Sequence, residues 1–388
     1  MSSAPRPAVA APPDILWIVT TQWRAQACGY AGDPNARTPA LDALARDSRT
    51  VNYAQAVTPH PFGPFARAAL LTGMPSPQNG MRDYWDALPA DARTVAHDLA
   101  TRGYRTAFFG KWGVGVRDRA APLVSPAAAQ ILVPPGARGG FAHWVGFEGG
   151  FQLNHPWLHG DGIGDGVTPQ QLHGYQSDVL AACTADWLAR PASGPRFTVL
   201  SLEAPHPPYA AATPTDGYTP RSEALILPAN VPRGGEIEAQ ARRELAGYYT
   251  HLAATDAAIG RLLACVTPAT IVVFTSVHGD MHGAHGLFRK GWPHEESIRV
   301  PLLVRGVKEL GARKSDEPVS LLDLPAMARE WSEGREWICE RDRAEISMPC
   351  VVALPHQCDR IWRGWRSATE KHLWTLDGGE WSLPEERA

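Results

Sequence analysis

Three histidines, His278, His282 and His285, fall within the stretch HGDMHGAHG, with Asp280 among them. Imidazole suits both transition-metal ligation and proton transfer near neutrality. One reading is a zinc or other transition-metal site built from two or three of these rings with His206 or His60. Another is a metal-free set of proton donors and acceptors, and the plainest is a glycine-rich loop of hydrogen-bonded histidines. Trp23, Trp112, Trp157 and Trp292 stand beside other polar motifs and are candidates to wall an apolar or aromatic ligand pocket. His60, between two prolines, reads as a loop residue without a role.

The elements that must position these groups follow from hydrophobic patterning. ILWIVTT (Ile15 to Thr21) is a β-branched apolar run ending in polar residues, as expected of a buried parallel strand whose carboxyl end opens onto a site. TPALDALARDS predicts a helix with Thr38 as N-cap and Pro39 at its first position. A second helix is expected to begin near Phe65, run through RAALLTG and stop at Gly73. Its N-terminal dipole and free N–H groups form a ready anion site.

Further strands are expected at 106–112, 197–203, 270–277 and 300–306, with helices at 91–103, 170–189 and 240–264. Strands alternating with helices imply right-handed βαβ units and an α/β fold with a large, mainly parallel sheet between helices. The Gly-, Pro- and Trp-rich segment 120–170 reads as an excursion over the site. The expected divisions are a flexible N-terminus (1–13), the α/β domain (14–320) and a small C-terminal α+β subdomain (321–388) with two or three antiparallel strands and a DGG turn.

Composition narrows the function classes. A chain of 388 residues with 44% hydrophobic and 20% charged residues is ordinary for a globular protein. A net charge of -3 gives no electrostatic case for nucleic acid or an anionic membrane surface. The first residues, MSSAPRPAVAAPPD, hold no apolar segment of signal-peptide length, so a cytoplasmic location is expected. The cysteines lack metal-type spacing and read as reduced thiols, Cys339, Cys350 and Cys358 being the ones placed to bridge.

Seven blocks, in order, carry a resemblance to a known family: ILWIVTTQWRAQACGYAG, ARTPALDALARDS, RAALLTGMPSPQNG, RTAFFGKWGVG, LEAPHPPY, IVVFTSVHGDMHGAHGLFRKGWPHEESIRVPLLVR and WTLDGGEWSL. The chain resembles the formylglycine-dependent sulfatases of the alkaline phosphatase superfamily. The resemblance implies a large mainly parallel sheet sandwiched by helices, followed by a small antiparallel sheet. It also implies a hydrated formylglycine nucleophile, made from Cys or Ser at a helix N-terminus, and a divalent cation, usually calcium.

Those two parts are missing here. Counting back four residues from Arg67, the motif arginine, puts Gly63 at the nucleophile position, and a one-residue insertion would put Phe62 there. Neither can attack, and no Cys or Ser occurs between Thr58 and Leu71. Thr21 and Val277 replace metal aspartates, leaving Gln22 and His278 as the only ligands a metal in the family position would find. Calcium wants several hard oxygens, carboxylates included. No cofactor is therefore expected, calcium least of all, with a transition metal as the exception. Gly113 replaces the histidine of the family's G-K-W-H-L-G motif.

By the same resemblance, Arg67, Lys111, His206 and Lys290 match anion-handling residues. The expected catalytic groups are His206, His278, Lys290 and Lys111. Arg67, Gln22, Thr21, His282, His285, Gly63, Trp112 and Trp292 are expected to contact the ligand, an anionic or polar small molecule. A homo-oligomer is compatible with the sequence. The readings this leaves are a repurposed, metal-independent enzyme using His and Lys as acid–base groups, a non-catalytic pseudosulfatase that binds a ligand or an active partner, and an ordinary sulfate or phosphate ester hydrolase.

Overall fold

A computed structural model describes residues 11–120, 122–211, 218–306 and 313–383. The flexible start expected over 1–13 falls mostly outside the described residues. In chain order the elements are β1 (Ile15–Thr20), α1 (Pro39–Arg46), β2 (Thr50–Tyr53), α2 (Gly63–Thr72), α3 (Val95–Ala100), β3 (Arg105–Lys111), α4 (Pro126–Ala129), β4 (His143–Phe147), β5 (Trp157–Gly160) and β6 (Gln170–Gln171). There follow α5 (Gln176–Ala189), β7 (Arg196–Ser201), α6 (Glu236–Leu263), β8 (Ile271–Ser276), α7 (Glu295–Ile298), β9 (Leu302–Arg305), β10 (Arg313–Ser315), α8 (Leu324–Ser332), β11 (Arg343–Met348), β12 (Trp362–Ser367) and β13 (Lys371–Thr375).

The main sheet has the order β10-β2-β9-β8-β1-β7-β3-β4-β5-β6. Its centre, β8, β1, β7, β3 and β4, is parallel, with antiparallel pairs toward both edges. Strand β1 shows why both faces must be covered. Trp17 and Val19 join a core with Phe65 and Leu70 of α2 and Leu99 of α3. Leu16 and Ile18 join another with Leu41 of α1, Leu180 of α5 and Leu252 of α6. A strand buried on both faces cannot alternate with polar residues, which is why ILWIVT reads as an unbroken apolar run.

Several boundaries shift from expectation. Helix α2 starts at Gly63 rather than Phe65, because Pro64 is accommodated in a first turn that needs no N–H from it. The helix expected at 91–103 shrinks to α3, since Thr94 caps it through Ala96 N (3.2 Å) and the residues before form turns. The helix expected from 170 begins at Gln176, Gln170 and Gln171 being taken by β6. Segment 120–170 is more than an excursion: it adds β4 and β5 to the sheet edge. Among the described residues no helix is long and apolar enough to cross a membrane.

Strands β11, β12 and β13 form the small antiparallel sheet. Its inner residues Ile346, Met348, Trp362 and Leu373 share a core with α2 and α8. All six cysteines are free thiols, so the Cys339, Cys350 and Cys358 trio forms no bridge.

His60 turns out to be a strut between these parts. It is 1% exposed, accepts from Ser76 N at Nε2 (2.9 Å) and contacts the Ser347 carbonyl at Nδ1 (3.1 Å). That pairing fixes the tautomer and ties the turn before α2 to β11. The expected outcome for His60→Ala is a loss of about 1–3 kcal/mol, since a buried N–H is left unsatisfied. Urea unfolding measures it.

Candidate functional site

Because β8, β1, β7 and β3 run parallel, their carboxyl ends lie along one edge, and side chains at or just past those ends meet beneath the N-terminus of α2. A cavity of ≈ 540 Å³ opens there, with Thr21, Gly63, Arg67, Lys111, His206, His278 and Lys290 among its lining residues. The N-cap Phe62 offers no side-chain acceptor, so the first-turn N–H groups of Gly63 and Phe65 keep their hydrogen-bonding capacity. A Cβ built on Gly63 meets one atom within 4 Å, Nε2 of His278, at 3.8 Å.

Arg67 is held from below by neutral oxygens. It donates from Nη1 to Ser201 Oγ (2.5 Å) and the Lys111 carbonyl (3.1 Å), and from Nη2 to Thr21 Oγ1 (2.7 Å). Gly113 makes this possible: a Cβ there would lie 2.9 Å from Arg67 Cδ, and φ at 113 is +67°. Burial pushes the guanidinium pKa down to about 10, with Glu203 and Glu148 opposing; it stays charged at neutral pH.

Lys111 donates to Glu203 Oε1 (2.7 Å) and lies over the Phe151 ring. Lys290 donates to Gln22 Oε1 (2.7 Å) and contacts His206 Nε2 (3.2 Å). The Gln22 amide nitrogen in turn bonds Asp280, which also accepts from Tyr209 Oη (2.8 Å) and from His282 N (3.2 Å). Burial, reinforced by the Lys111 and Arg289 charges, brings the Lys290 pKa down to about 7 despite Asp280. Burial opposes ionisation of Asp280, yet His282, Arg289 and Lys290 hold its carboxyl well below the usual range.

The two cavity imidazoles have definite tautomers. His206 Nδ1 contacts the Pro207 carbonyl (2.8 Å) and His278 Nδ1 the Gly279 carbonyl (2.8 Å), so each carries its proton there. Burial and the Lys290 charge hold both pKa values well below the histidine norm, so the rings are neutral with bare Nε2 atoms. On His206 that nitrogen meets Lys290, whereas on His278 it is buried without a hydrogen-bond partner.

Other expected residues lie elsewhere. Gln22 is fully buried behind Lys290 instead of lining the cavity. His282 sits under Tyr209 and Tyr248, and His285 stacks on His294 and contacts Asn230; neither lines the cavity. The backbone is left-handed at both histidines, with φ of 46° and 54°. Trp112 packs against Phe108 and Trp144 in the core, and Trp292 donates to the Phe288 carbonyl. The apolar wall comes instead from Phe62, Tyr84, Leu123, Ile131, Phe151 and Leu354. Glu203, Glu148, Tyr209 and Phe151 were not anticipated. Glu203 lies in the LEAPHPPY block just past β7, a signal that could have been used; Glu148 and Phe151 come from the aperiodic segment after β4, which offered none.

A divalent metal does not fit this donor set. The Thr21 hydroxyl is engaged by Arg67 and by the Leu202 carbonyl (3.0 Å), and the Gln22 carbonyl by Lys290. Val277 is buried and apolar. Among the described residues no group of three or more His, Cys, Asp or Glu side chains is placed to hold a metal. The transition-metal alternative meets the same obstacle, since His60, His282 and His285 diverge from His206 and His278.

The sulfatase family model matches residues 13–333. The chain belongs to the sulfatase family. It is 36% identical over 330 residues to an ulvan-active sulfatase of Formosa agariphila, covering 80% of this chain and 60% of that protein. It is 27% identical over 371 residues to an arylsulfatase of Clostridium perfringens, covering 80% and 73%. The chain thus spans less than two thirds of the length of the first of these relatives. The fold matches a Bacteroides fragilis structure of a YidJ-type sulfatase (TM-score 0.80, 21% identity, 98% of this chain and 89% of that one). It also matches a phosphonate monoester hydrolase of Agrobacterium radiobacter (TM-score 0.62, 20% identity, 94% and 89%). The sandwiched sheet and small C-terminal sheet expected from the sulfatase resemblance are both present.

Glu148 gives the site a pH signature. It accepts from Gly115 N (3.0 Å), and burial raises its pKa from 4.5 to about 7, the Arg117 charge opposing. A carboxyl raised on folding stabilises fully below its unfolded value and loses that contribution as pH rises through its folded value. Wild type should therefore lose up to ~3 kcal/mol relative to Glu148→Gln between acid and neutral pH. Parallel stability–pH curves for the two proteins would show that Glu148 is not the group responsible.

Proposed function

We propose that this sulfatase-family protein binds the anionic group of a small ester at the α2 N-terminus and hydrolyses it with histidine acid–base chemistry, using neither formylglycine nor a divalent cation. One observation carries the reading: the neutral His278 ring points a bare, buried Nε2 at the space over Gly63. With no side chain at 63, that space suits a water molecule where the family's nucleophile would stand.

In this reading Arg67, Lys111, Lys290 and the first-turn N–H groups of α2 hold the anion. They also offset the charge that spreads over its oxygens in the transition state. The water gives one proton to His278 Nε2 as its oxygen bonds the central sulfur or phosphorus atom. The bond to the ester oxygen breaks, and that oxygen leaves with a proton from the Lys290–His206 pair. Proton return from His278 to that pair through solvent restores the site. The apolar wall favours an ester whose leaving group is itself apolar or aromatic. The relative described as ulvan-active makes a sulfated oligosaccharide the second substrate class to assay.

The test is turnover of nitrophenyl sulfate, nitrophenyl phosphate, a phosphonate monoester and a sulfated oligosaccharide by purified protein. His278→Ala should lower kcat/KM for whichever is cleaved by roughly 10²–10⁴, the usual worth of a general base. Unchanged turnover in that variant would overturn the mechanism. No turnover of any ester, with inorganic sulfate still bound, would instead favour the pseudosulfatase reading, for which the missing nucleophile at Gly63 is the motivating observation.

A further inference from the structure

We propose that the Arg67 guanidinium and the Lys290 ammonium together stand in for the divalent cation of the family, each anchored on a side chain at a former metal-ligand position. The inference rests on the reading that the cavity takes an anion. It adds the identity of the groups that supply the missing positive charge.

The placement is pairwise. Thr21 and Gln22 are the consecutive residues past β1 where the resemblance puts metal-binding side chains, and each is bonded to an organic cation. Arg67 Nη2 lies 2.7 Å from Thr21 Oγ1, and Lys290 Nζ lies 2.7 Å from Gln22 Oε1. Both cations line the cavity, and both are buried, with 4% and 7% of their surface exposed. With Lys290 protonated, their summed charge equals that of one divalent ion.

Neither cation is hydrogen-bonded to a carboxylate, although Glu203 and Glu148 act on Arg67, and Asp280 on Lys290, from farther off. All hydrogen-bond acceptors of Arg67 are neutral oxygens. Lys290 contacts an amide oxygen and a neutral imidazole, and Asp280 stands behind the Gln22 amide. Glu203 is engaged by Lys111. A buried cation with no carboxylate bonded to it is costly and is relieved by an anion entering beside it. Carboxylates at 21 and 277 would cancel these cations in place of the metal, so Thr21 and Val277 preserve the positive potential of the site.

The substitutions also depend on one another sterically. A side chain at 113 would approach within 2.9 Å of Arg67 Cδ and 3.1 Å of Nε, pushing the guanidinium off Thr21. Glycine at the position of the family histidine is therefore part of the same exchange, and Gly113 acts as a positioning residue.

Titration of wild-type protein with inorganic sulfate, in EDTA and again in calcium, tests this by calorimetry. The expected result is the same affinity in both, a loss of at least ~10-fold in Arg67→Gln and in Lys290→Gln, and no recovery of either variant in calcium. Gly113→Ala should weaken sulfate binding in the same direction. Lys290→Gln serves should Arg67→Gln fail to fold, as judged by circular dichroism. Saturable binding of calcium to wild type, or sulfate binding that EDTA abolishes, overturns the inference and leaves the anion-binding reading standing. Full sulfate affinity in well-folded Lys290→Gln overturns it as well. Failure of wild type to bind sulfate in either condition overturns the anion-binding reading, and this inference with it.

Discussion

The parallel alignment of β8, β1, β7 and β3 is the constraint on which the site depends. Both faces of these strands are buried in apolar cores, so polar groups can gather only where the strands end. There each must find a partner or meet water. Ser201, the last residue of β7, donates to the Lys111 carbonyl at the end of β3 and accepts from Arg67 on α2. Ser276, the last residue of β8, bonds the His278 carbonyl and receives Trp23 N. The strand ends are thereby stitched to one another and to the helix above, and the cavity is what remains between them.

Much of this was legible in the sequence because the motif positions are strand and helix termini, and a parallel sheet brings such termini together whatever the intervening loops do. Lys111, His206 and His278 meet for that reason, joined by Arg67 from the second turn of α2 and Lys290 from the loop before α7. The histidine stretch misled because spacing along a chain predicts proximity only if the backbone keeps a regular conformation. Here the backbone is left-handed at 282 and 285, and one ring lies in the Tyr209–Tyr248 pocket and the other on His294. The tryptophans misled for a different reason: an indole large enough to line a pocket is also large enough to fill a core, and Trp112 is 2% exposed. Glu148 and Phe151 follow β4 in a glycine-rich stretch whose path no periodicity encodes.

On the proposed reading, charge explains why the residues at 21, 63, 113 and 277 form a set. Removing a divalent cation while keeping its carboxylates would leave uncompensated negative charge at the place meant to receive an anion. Removing both together keeps the potential, provided other cations hold their positions. Lys111 retains a buried partner in Glu203, so it contributes orientation more than net charge. On the proposed reading Arg67 and protonated Lys290 contribute the net charge. Family membership fixes the scaffold on which this happens, and the chemistry is decided by which side chains stand on it.

Backbone strain points to the same place. Among the described non-glycine residues with positive φ, Gln22 (68°), Phe151 (55°), Arg289 (64°) and His356 (63°) lie in or directly behind the cavity. Such conformations cost of order 1–3 kcal/mol each and persist only where surrounding contacts over-determine them. Those contacts are present at Gln22, Phe151 and Arg289: Gln22 is clasped between Lys290 and Asp280. Phe151 is sandwiched by the His206 ring and the Lys111 ammonium, and Arg289 is paired bidentately with Glu244. Gln22 and Phe151 thus hold Lys290, Lys111 and His206 in place before any ligand arrives. A pocket fixed in this way loses little conformational entropy on binding, and it can position a small anion with side chains alone.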